Sequence, residues 1–309
     1  MNADFSLGLK ESPLAEAWEC STHPNGISLV ASGPFKGKTL TEVLLKHPEY
    51  IGTHPIAEPG QIPVLIKFID AKQDLSIQVH PTDEFAFKNE DGQRGKTEMW
   101  YVVDAAKDAT ITYGFRHSIS EKALRTALEK NKLERYLNKI PVKKNDVFLI
   151  EAGTIHAIGK GVLLAEIQES SDLTYRLYDY GRVDKHGKTR ELHVEKALQV
   201  VNRKATEPPV QPIRITRFKN GRATEMLARC RYFQVERMII NTQRVREMAD
   251  YQTGSSSFQI LLCYSGCGSL TNEEDGTTIN LFQGDCVFVP AHSPVLKLHG
   301  KMELLRVRC

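Results

Sequence analysis

The sequence predicts a mainly β protein of two small β-barrels with a few short helices. Short runs of β-branched and aromatic residues, separated by Gly, Asn, Asp and Pro, recur along all 309 residues. Few segments have a helical period. A turn, an Asp and an apolar strand occur together twice, at Asn145–Ile150 and Gly284–Val289. Each copy is typical of the penultimate strand of a small barrel, which indicates two barrels in tandem.

The predicted strands are bounded by turn residues and are rich in Val, Ile, Leu, Phe and Tyr. In the first part of the chain they are Ile62–Asp70, Leu75–His80, Met99–Asp104, Ala109–Phe115, Asp146–Ile150, Gly161–Gln168 and Thr174–Tyr180. In the last third they are Gln234–Asn241, Phe258–Cys263, Gly268–Asn272, Thr277–Phe282, Cys286–Pro290 and Val295–Leu298.

Three segments have helical character. Ser118–Lys130 has one apolar face, and Ser118 with Glu121 matches a capping box. Thr41–His47 and Val194–Val201 are weaker helix predictions. The expected helices are therefore short and few.

A proline-rich segment of low apolar content divides the chain. Pro208, Pro209 and Pro212 lie in it, and such a composition is typical of an interdomain linker. We expect a catalytic domain at 1–202, a linker at 203–212 and a second barrel at 213–309. When the two repeated Asp residues are superposed, His156 falls opposite Val295, so the chemistry is expected in the first barrel only.

Composition excludes several classes of protein. The net charge is +3 and the basic residues are dispersed, which argues against nucleic acid as a partner. No apolar run approaches the roughly 18 residues of a membrane span, and the N-terminus resembles no secretion signal. With only six cysteines, a reducing, cytoplasmic location is expected. Cys263 and Cys267 are interpreted as core residues in a strand rather than as zinc ligands.

The residues themselves suggest a metal site. Gln78 and His80 are two positions apart in a predicted strand and therefore project from one face. Glu98 at the head of another strand and His156 in a loop could complete a set of two imidazoles, one carboxylate and one amide, which suits Zn²⁺. On spacing alone, a hydrogen-bonded strand face remains the alternative for Gln78 and His80.

Several longer segments resemble one family. These are AEAWECSTHPNG at 15–26, QVHPTDEFA at 78–86, GKTEMWYVVDA at 95–105, IEAGTIHAIG at 150–159 and QESSDLTYRLYDYGR at 168–182. In content and order they resemble the type I phosphomannose isomerases. The resemblance implies two cupin-like jelly-roll barrels and the interconversion of mannose 6-phosphate and fructose 6-phosphate through a cis-enediol.

The resemblance also implies a site. Zn²⁺ would be bound by Gln78, His80, Glu98 and His156. The implied catalytic residues are Arg176, Glu166 and Lys96, and the implied substrate-binding residues are Lys67, Ser76, Lys96 and Arg176. Where the family has Lys-Pro-Glu this chain has Lys96-Thr97-Glu98, which changes no donor atom. Only 57 residues separate Glu98 from His156, as in the short bacterial form.

Other interpretations stay open at this point. Without the resemblance, Lys67 and Lys96 are typical of surface residues. Glu166 shares a strand face with Leu164 and Gln168, so it is either an acid inside the barrel or a paired structural charge. Trp18 and His23 are expected to border the sugar. An Fe(II) dioxygenase on the same fold and a sugar-phosphate sensor without turnover are the competing functions.

Overall fold

The computed structural model describes residues 15–53, 58–184, 186–245 and 247–309. Its chain forms two compact units, each built around β structure. We call the unit of Ala15–Ala17 and Lys67–Gln211 the first barrel, and the unit of Trp18–Ile66 and Pro212–Cys309 the second barrel. The mainly β, cupin-type prediction is confirmed.

Among the described residues, ten strands form the two sheets of the first barrel. They are β1 (Glu16–Glu19), β2 (Val64–Ala71), β3 (Ile77–Val79), β4 (Glu98–Ala105), β5 (Thr110–Phe115), β6 (Leu137–Pro141), β7 (Val147–Ile150), β8 (His156–Ile158), β9 (Val162–Glu169) and β10 (Tyr175–Tyr178). One sheet has the order β1-β2-β9-β4-β7 and the other β10-β3-β8-β5-β6. Apolar residues of both sheets, among them Trp100, Ile111 and Leu164, share one core cluster. All seven predicted strands are present, within a few residues of their bounds.

Four α-helices lie among the described residues. They are α1 (Leu40–Lys46), α2 (Asp83–Asn89), α3 (Glu121–Glu129) and α4 (Val194–Val200), with short 3₁₀ helices at Pro48–Ile51 and Leu133–Tyr136. The sequence did not predict α2, whose seven residues give periodicity little room. Within the described part of the chain, no helix has both the length and the apolar character needed to cross a bilayer.

The predicted cap of α3 was wrong. Ser120 caps this helix, and its Oγ accepts a hydrogen bond from Ala123 N at 3.2 Å. Ser118 instead accepts one from Ala205 N at 3.0 Å. Both serines precede the helix, and the one directly before its first residue is the N-cap.

Eight strands of the second barrel lie in the part of the chain that the structure describes. They are β11 (Thr216–Lys219), β12 (Arg222–Arg229), β13 (Gln234–Asn241), β14 (Ala249–Tyr251), β15 (Gln259–Asn272), β16 (Thr278–Phe282), β17 (Cys286–Val289) and β18 (Leu296–Arg308). The main path is β11-β12-β13-β18-β15-β16, with β14 paired to β18 and β17 paired to β15. The hairpin β11–β12 was not predicted, and β18 continues far beyond the predicted Leu298.

Two strands predicted separately are one strand, β15. It continues through Ser265-Gly266-Cys267, a small-residue stretch that predicts a break, and its pairing with β18 shifts register between Cys263 and Ser265. Because of this bulge, the interpretation of both cysteines as core residues was wrong for Cys267. Cys263 is buried in the core, but the inserted residue turns Cys267 to the opposite, exposed face.

The segment 203–212 contains no helix or strand and is hydrogen-bonded to the first barrel. Thr206 N donates to Phe115 O at 2.8 Å, and the amide of Gln211 bonds both backbone groups of Val147. Residues 18–66 group with 212–309, since contacts such as Phe258 N to Ile51 O tie them together. The domain limits 1–202 and 213–309 with a linker at 203–212 stay a prediction.

The repeated Asp pattern has the same backbone geometry in both barrels. The matching hydrogen bonds are Lys143 N to Asp146 Oδ2 at 2.9 Å and Phe282 N to Asp285 Oδ2 at 2.7 Å, together with Val102 N to Asp146 O and Cys263 N to Asp285 O, both at 2.9 Å. The strands therefore correspond one to one: β4 to β15, β7 to β17 and β9 to β18. This correspondence fixes which residues occupy equivalent positions.

Candidate metal centre

Three strand ends of the first barrel bring two imidazoles and a carboxylate together. His80 directly follows β3, Glu98 begins β4 and His156 begins β8. All three are buried, and their possible ligand atoms lie within 4.8 Å of one another. His156 Nε2 is 3.2 Å and His80 Nε2 is 3.4 Å from the two oxygens of Glu98.

The backbone orients both imidazole rings. His80 Nδ1 bonds the carbonyl of Leu173 at 2.9 Å, and His156 Nδ1 bonds the carbonyl of Thr154 at 2.8 Å. Since a carbonyl only accepts, each Nδ1 carries the proton and each Nε2 presents a lone pair. Burial, together with the positive charge of Lys96, lowers the pKa of His80 to about 3, so its ring is neutral at pH 7.

The donor atoms at this centre lack partners. His80 Nε2 and both carboxylate oxygens of Glu98 are buried and have no hydrogen-bond partner in the described part of the chain. Lone pairs of two imidazoles face an anionic carboxylate at 3.2 to 3.4 Å, an arrangement that is costly without a cation between them. The residues therefore fit a divalent metal ion, held by two nitrogens and one carboxylate.

Gln78 lies beside this group on β3, between β10 and β8. Its Cα is paired with that of His156 on one side and that of Arg176 on the other. Its Nε2 is 3.4 Å from His156 Nε2. A half-turn of the amide about its last bond would present the oxygen instead, so Gln78 can supply a fourth ligand.

Glu166 is both an interior acid and a paired charge, so the two interpretations left open by the sequence are combined. It is buried, its Oε2 accepts from Trp100 Nε1 at 2.9 Å, and its Oε1 is 3.4 Å from Lys67 Nζ. Burial and the neighbouring charge of Glu98 raise the pKa of Glu166. The carboxyl of Glu166 therefore binds its proton up to a higher pH than an exposed glutamate does.

Both lysines lie inside the barrel, which overturns the interpretation of them as surface residues. Lys67 is 7% exposed and its Nζ is also 3.3 Å from Glu16. Burial alone would lower the pKa of Lys67, but the surrounding carboxylates raise it. Lys96 is 3% exposed, donates to Thr174 Oγ1 at 3.2 Å, and has its pKa lowered by burial. Buried ammonium groups of this kind suit an anionic ligand.

Arg176 on β10 is held by two contacts. Its Nε donates to Ser76 Oγ at 3.2 Å, and one terminal nitrogen donates to the carbonyl of Glu191 at 2.9 Å. Ser76 is buried, whereas Arg176 is partly exposed. Since Arg176 is the strand neighbour of Gln78, its guanidinium belongs to the same row of side chains as the metal centre.

Sequence reasoning missed two residues of this region. Trp100 lies two positions after Glu98 on the same strand face, and that spacing could have identified it. Glu169 is 2% exposed, accepts from Thr97 N at 2.7 Å, and has its pKa raised to about 8 by burial and by the charge of Asp83. A charged residue at a strand end gives no sequence signal of burial.

Trp18 and His23 lie within residues 18–66, which group with the second barrel, although Trp18 is also part of strand β1. Their rings contact each other edge to face with centroids 5.5 Å apart. His23 Nδ1 accepts a hydrogen bond from Asn25 N at 3.2 Å. Their expected place beside the sugar stays a prediction.

Comparison with known families identifies relatives along most of the chain. The catalytic domain of phosphomannose isomerase type I matches residues 5–109. The cupin domain of mannose-6-phosphate isomerase matches residues 223–309. Mannose-6-phosphate isomerase ManA of Bacillus subtilis is 42% identical over 236 residues, which are 75% of this chain and 72% of the relative.

Solved structures agree with these matches. A mannose 6-phosphate isomerase from Bacillus subtilis superposes with a TM-score of 0.85 at 36% identity, over 95% of this chain and 89% of that one. A phosphomannose isomerase from Salmonella typhimurium superposes with a TM-score of 0.69 over 96% of this chain and 91% of that one. At 17% identity, the latter likeness concerns the fold alone.

Proposed function

The chain belongs to the type I phosphomannose isomerases, a family of aldose–ketose isomerases. From that premise we propose that it interconverts mannose 6-phosphate and fructose 6-phosphate with Zn²⁺ bound in the first barrel. One observation above all supports a bound metal. The Nε2 of neutral His80 and the carboxylate oxygens of anionic Glu98 are buried close together without hydrogen-bond partners among the described residues. We also propose that the enzyme works in the cytoplasm.

His80, Glu98 and His156 would hold the ion, and Gln78 would contribute the weaker fourth ligand. When bound, Zn²⁺ acts as a Lewis acid toward the oxygens of the sugar and lowers the free energy of a developing enediolate. A single carboxylate leaves such a site net positive, which suits that chemistry. Two imidazoles with a carboxylate and an amide form a ligand set that suits zinc, and the metal analysis below distinguishes zinc from iron.

The reaction requires a proton to leave C2 and one to arrive at C1, with no net oxidation of the molecule. Glu166 is proposed to exchange that proton, because burial raises its pKa toward neutrality and Trp100 fixes one of its oxygens. Lys96 is proposed to assist at the reacting oxygens. It is a buried ammonium two residues from Glu98 and is hydrogen-bonded to the barrel wall.

Substrate binding is proposed for four polar residues, which are Lys67, Ser76, Lys96 and Arg176. A phosphate dianion is bound best by fixed cations and hydroxyls. Of these four residues, Arg176 alone carries a guanidinium, which is permanently charged. It is therefore suited to bind an oxyanion that forms only in the transition state. Its bond to Ser76 restricts its orientation.

Neither competing function gains support. Two imidazoles and one carboxylate are also compatible with an Fe(II) dioxygenase, but the family and structural matches are to isomerases. A sensor would need the phosphate contacts but not a buried acid such as Glu166 beside the metal centre. The isomerase therefore remains the proposal.

The deciding experiment combines metal analysis with an oxygen-free isomerase assay. Purified protein is assayed for conversion of mannose 6-phosphate to fructose 6-phosphate before and after dialysis against a chelator, and its metal is measured by mass spectrometry. We expect about one zinc per chain, loss of activity with the metal, and recovery when Zn²⁺ is returned. Full activity in metal-free protein would refute the role of zinc, and bound zinc without turnover would favour the sensor.

A further inference from the structure

At the positions equivalent to those around the metal centre, the second barrel has different residues. The pairs Glu98–Ile150 and Trp100–Glu166 of the first barrel correspond to Gln259–Val289 and Leu261–Arg306 of the second. An amide thus stands in place of the carboxylate ligand, and an arginine in place of the buried acid. The amide is also engaged, since Gln259 Oε1 accepts from Tyr251 OH at 2.6 Å.

A cavity nonetheless remains in this barrel. Its volume is about 590 Å³, and Val295, the counterpart of His156 ten residues after the repeated Asp, lies in its wall together with Arg306. Sites for small molecules commonly measure about 300 to 1,000 Å³. The other residues that line it are Lys219, Asn220, Arg222, Glu247, Met248, Asp250, Tyr251 and Gln252. The cavity is therefore large enough to accept a small ligand and has Val295 in the position that corresponds to His156.

Three cations and two carboxylates line this cavity, and the carboxylate of Glu247 accepts a hydrogen bond from Asn220 Nδ2 at 3.1 Å. Arg306 bonds the carboxylate of Glu236 through one terminal nitrogen, while its Nε is buried without a hydrogen-bond partner in the part of the chain that the structure describes. Arg222 donates to the backbone carbonyl of Asp250 at 2.7 Å. The carboxylate of Asp250 is itself occupied by Lys297 Nζ at 2.6 Å.

The guanidinium groups of Arg222 and Arg306 share this cavity, and that of Arg306 is paired with Glu236. Among the described residues, neither Arg222 nor Lys219 forms an ion pair with a carboxylate. Burial and the nearby charge of Arg306 lower the pKa of Arg222, as expected for two cations held close together. An anion between them would relieve this repulsion and would give the Nε of Arg306 an acceptor.

We propose that this cavity binds a small phosphate ester, with the phosphate between Arg222 and Arg306. Arg222 and the Nε of Arg306 can both donate to the oxygens of a phosphate dianion, whose geometry the guanidinium fork matches. Asn220 and Gln252 supply amides for the hydroxyl groups of the remainder of the ligand. The ligand is bound here and not converted, because the metal donors and the buried acid are absent from these positions. This site does not depend on the proposed function of the first barrel.

Tungstate, a phosphate analogue with strong anomalous scattering, locates the site directly. Crystals of the full chain soaked in tungstate should show an anomalous peak within hydrogen-bond distance of Arg222 and Arg306. A map with no peak in this cavity would overturn the proposal. The wild-type crystal decides this question even if a variant fails to fold.

Solution binding tests the same point without the crystal. Inorganic phosphate is titrated into the full chain, and the backbone amide resonances of residues 223 and 251 are followed by NMR. Arg222→Gln should weaken phosphate binding at these resonances about tenfold or more, the contribution of one charge-assisted hydrogen bond. Arg229→Gln, an exposed arginine on the same strand, is the matched control. Equal affinities in the Arg222→Gln variant and the control would refute the site, and neither experiment relies on isomerase activity.

Discussion

The two barrels share a strand framework and differ in the side chains at a few equivalent positions. The first places Glu98, His156 and Glu166 where the second places Gln259, Val295 and Arg306. The ion pair across neighbouring strands is also reversed in sign: Glu166 meets Lys67 in the first barrel, and Arg306 meets Glu236 in the second. The fold is therefore compatible with opposite electrostatics, and the chemistry resides in the substituted side chains.

Features that the backbone requires are present in both barrels. The two Asp residues that bond the amide three positions upstream, Asp146 and Asp285, stabilise the same turn before the same strand. Residues that only a ligand requires differ between the barrels. The comparison thus separates positions needed for folding from positions needed for function, and each prediction below tests that separation.

The largest expected effect is the loss of metal from the first barrel. His80→Ala or His156→Ala should remove both bound zinc and isomerase turnover, because each deletes one of two nitrogen ligands. Zinc content by mass spectrometry and the isomerase assay measure the two losses. Gln78→Ala should lower zinc occupancy less, an amide being the weaker ligand.

The second barrel supplies the control for that experiment. His292→Ala removes an exposed histidine close to Val295, and both zinc content and turnover should stay at wild-type values. Equal zinc losses in the Gln78→Ala and the two histidine variants of the first barrel would contradict the ligand ranking. A zinc ion bound at His292 or His299 would contradict the division of roles between the barrels.

A smaller effect is expected at Arg176, which contacts Ser76 beside the metal centre. Arg176→Ala should lower kcat at least about 10²-fold with KM nearly unchanged, the scale of losing one preorganised oxyanion donor. Zinc content should stay intact. Arg190→Ala, which removes a more exposed arginine nearby, should leave both constants unchanged. A raised KM with normal kcat would make Arg176 a phosphate anchor instead.

Equivalent core positions should respond differently to substitution. Trp100→Phe leaves a buried oxygen of Glu166 without its donor and should lower the free energy of unfolding by about 1 to 3 kcal/mol. Its counterpart Leu261 has no polar atom to satisfy, so Leu261→Met should cost less than about 1.5 kcal/mol. Urea unfolding measures both values. Equal costs would show that the indole hydrogen bond contributes little.

The smallest expected effect concerns pH. The pKa of Glu169 is raised to about 8, so the folded state binds more protons than the unfolded state between about pH 4.5 and 8. Stability should therefore fall as pH rises through this window. Glu169→Gln keeps an acceptor for Thr97 N and should remove at least about 1 kcal/mol of that fall.

Urea unfolding at pH 5 and pH 8 measures this difference. Glu129→Gln, on an exposed helix end, is the matched control and should retain the wild-type pH dependence. An unchanged dependence in Glu169→Gln would show that this carboxyl does not bind the additional proton.

Local patterns predicted much of the fold. Val-, Ile- and Phe-rich runs such as the one in β2 predict strands because those side chains favour a pleated, buried surface. Helix α2 and the hairpin β11–β12 were missed, because seven residues give little periodicity and the hairpin contains many charged residues. The bulge after Cys263 could not be predicted either, since it depends on the partner strand β18.

The sequence by itself determined the β class, the tandem Asp turns, the family and the identities of the proposed metal ligands. These properties follow from short-range patterns and from motifs in a fixed order. The tertiary structure decided which charged groups are buried and what they contact. Lys96 and Glu166 belong to residue types that usually lie on the surface, and they are buried here only because strands far apart in sequence pair with each other. The pKa shift of a carboxyl and the balance of charges around a cavity depend on neighbours in space, which a linear pattern does not specify.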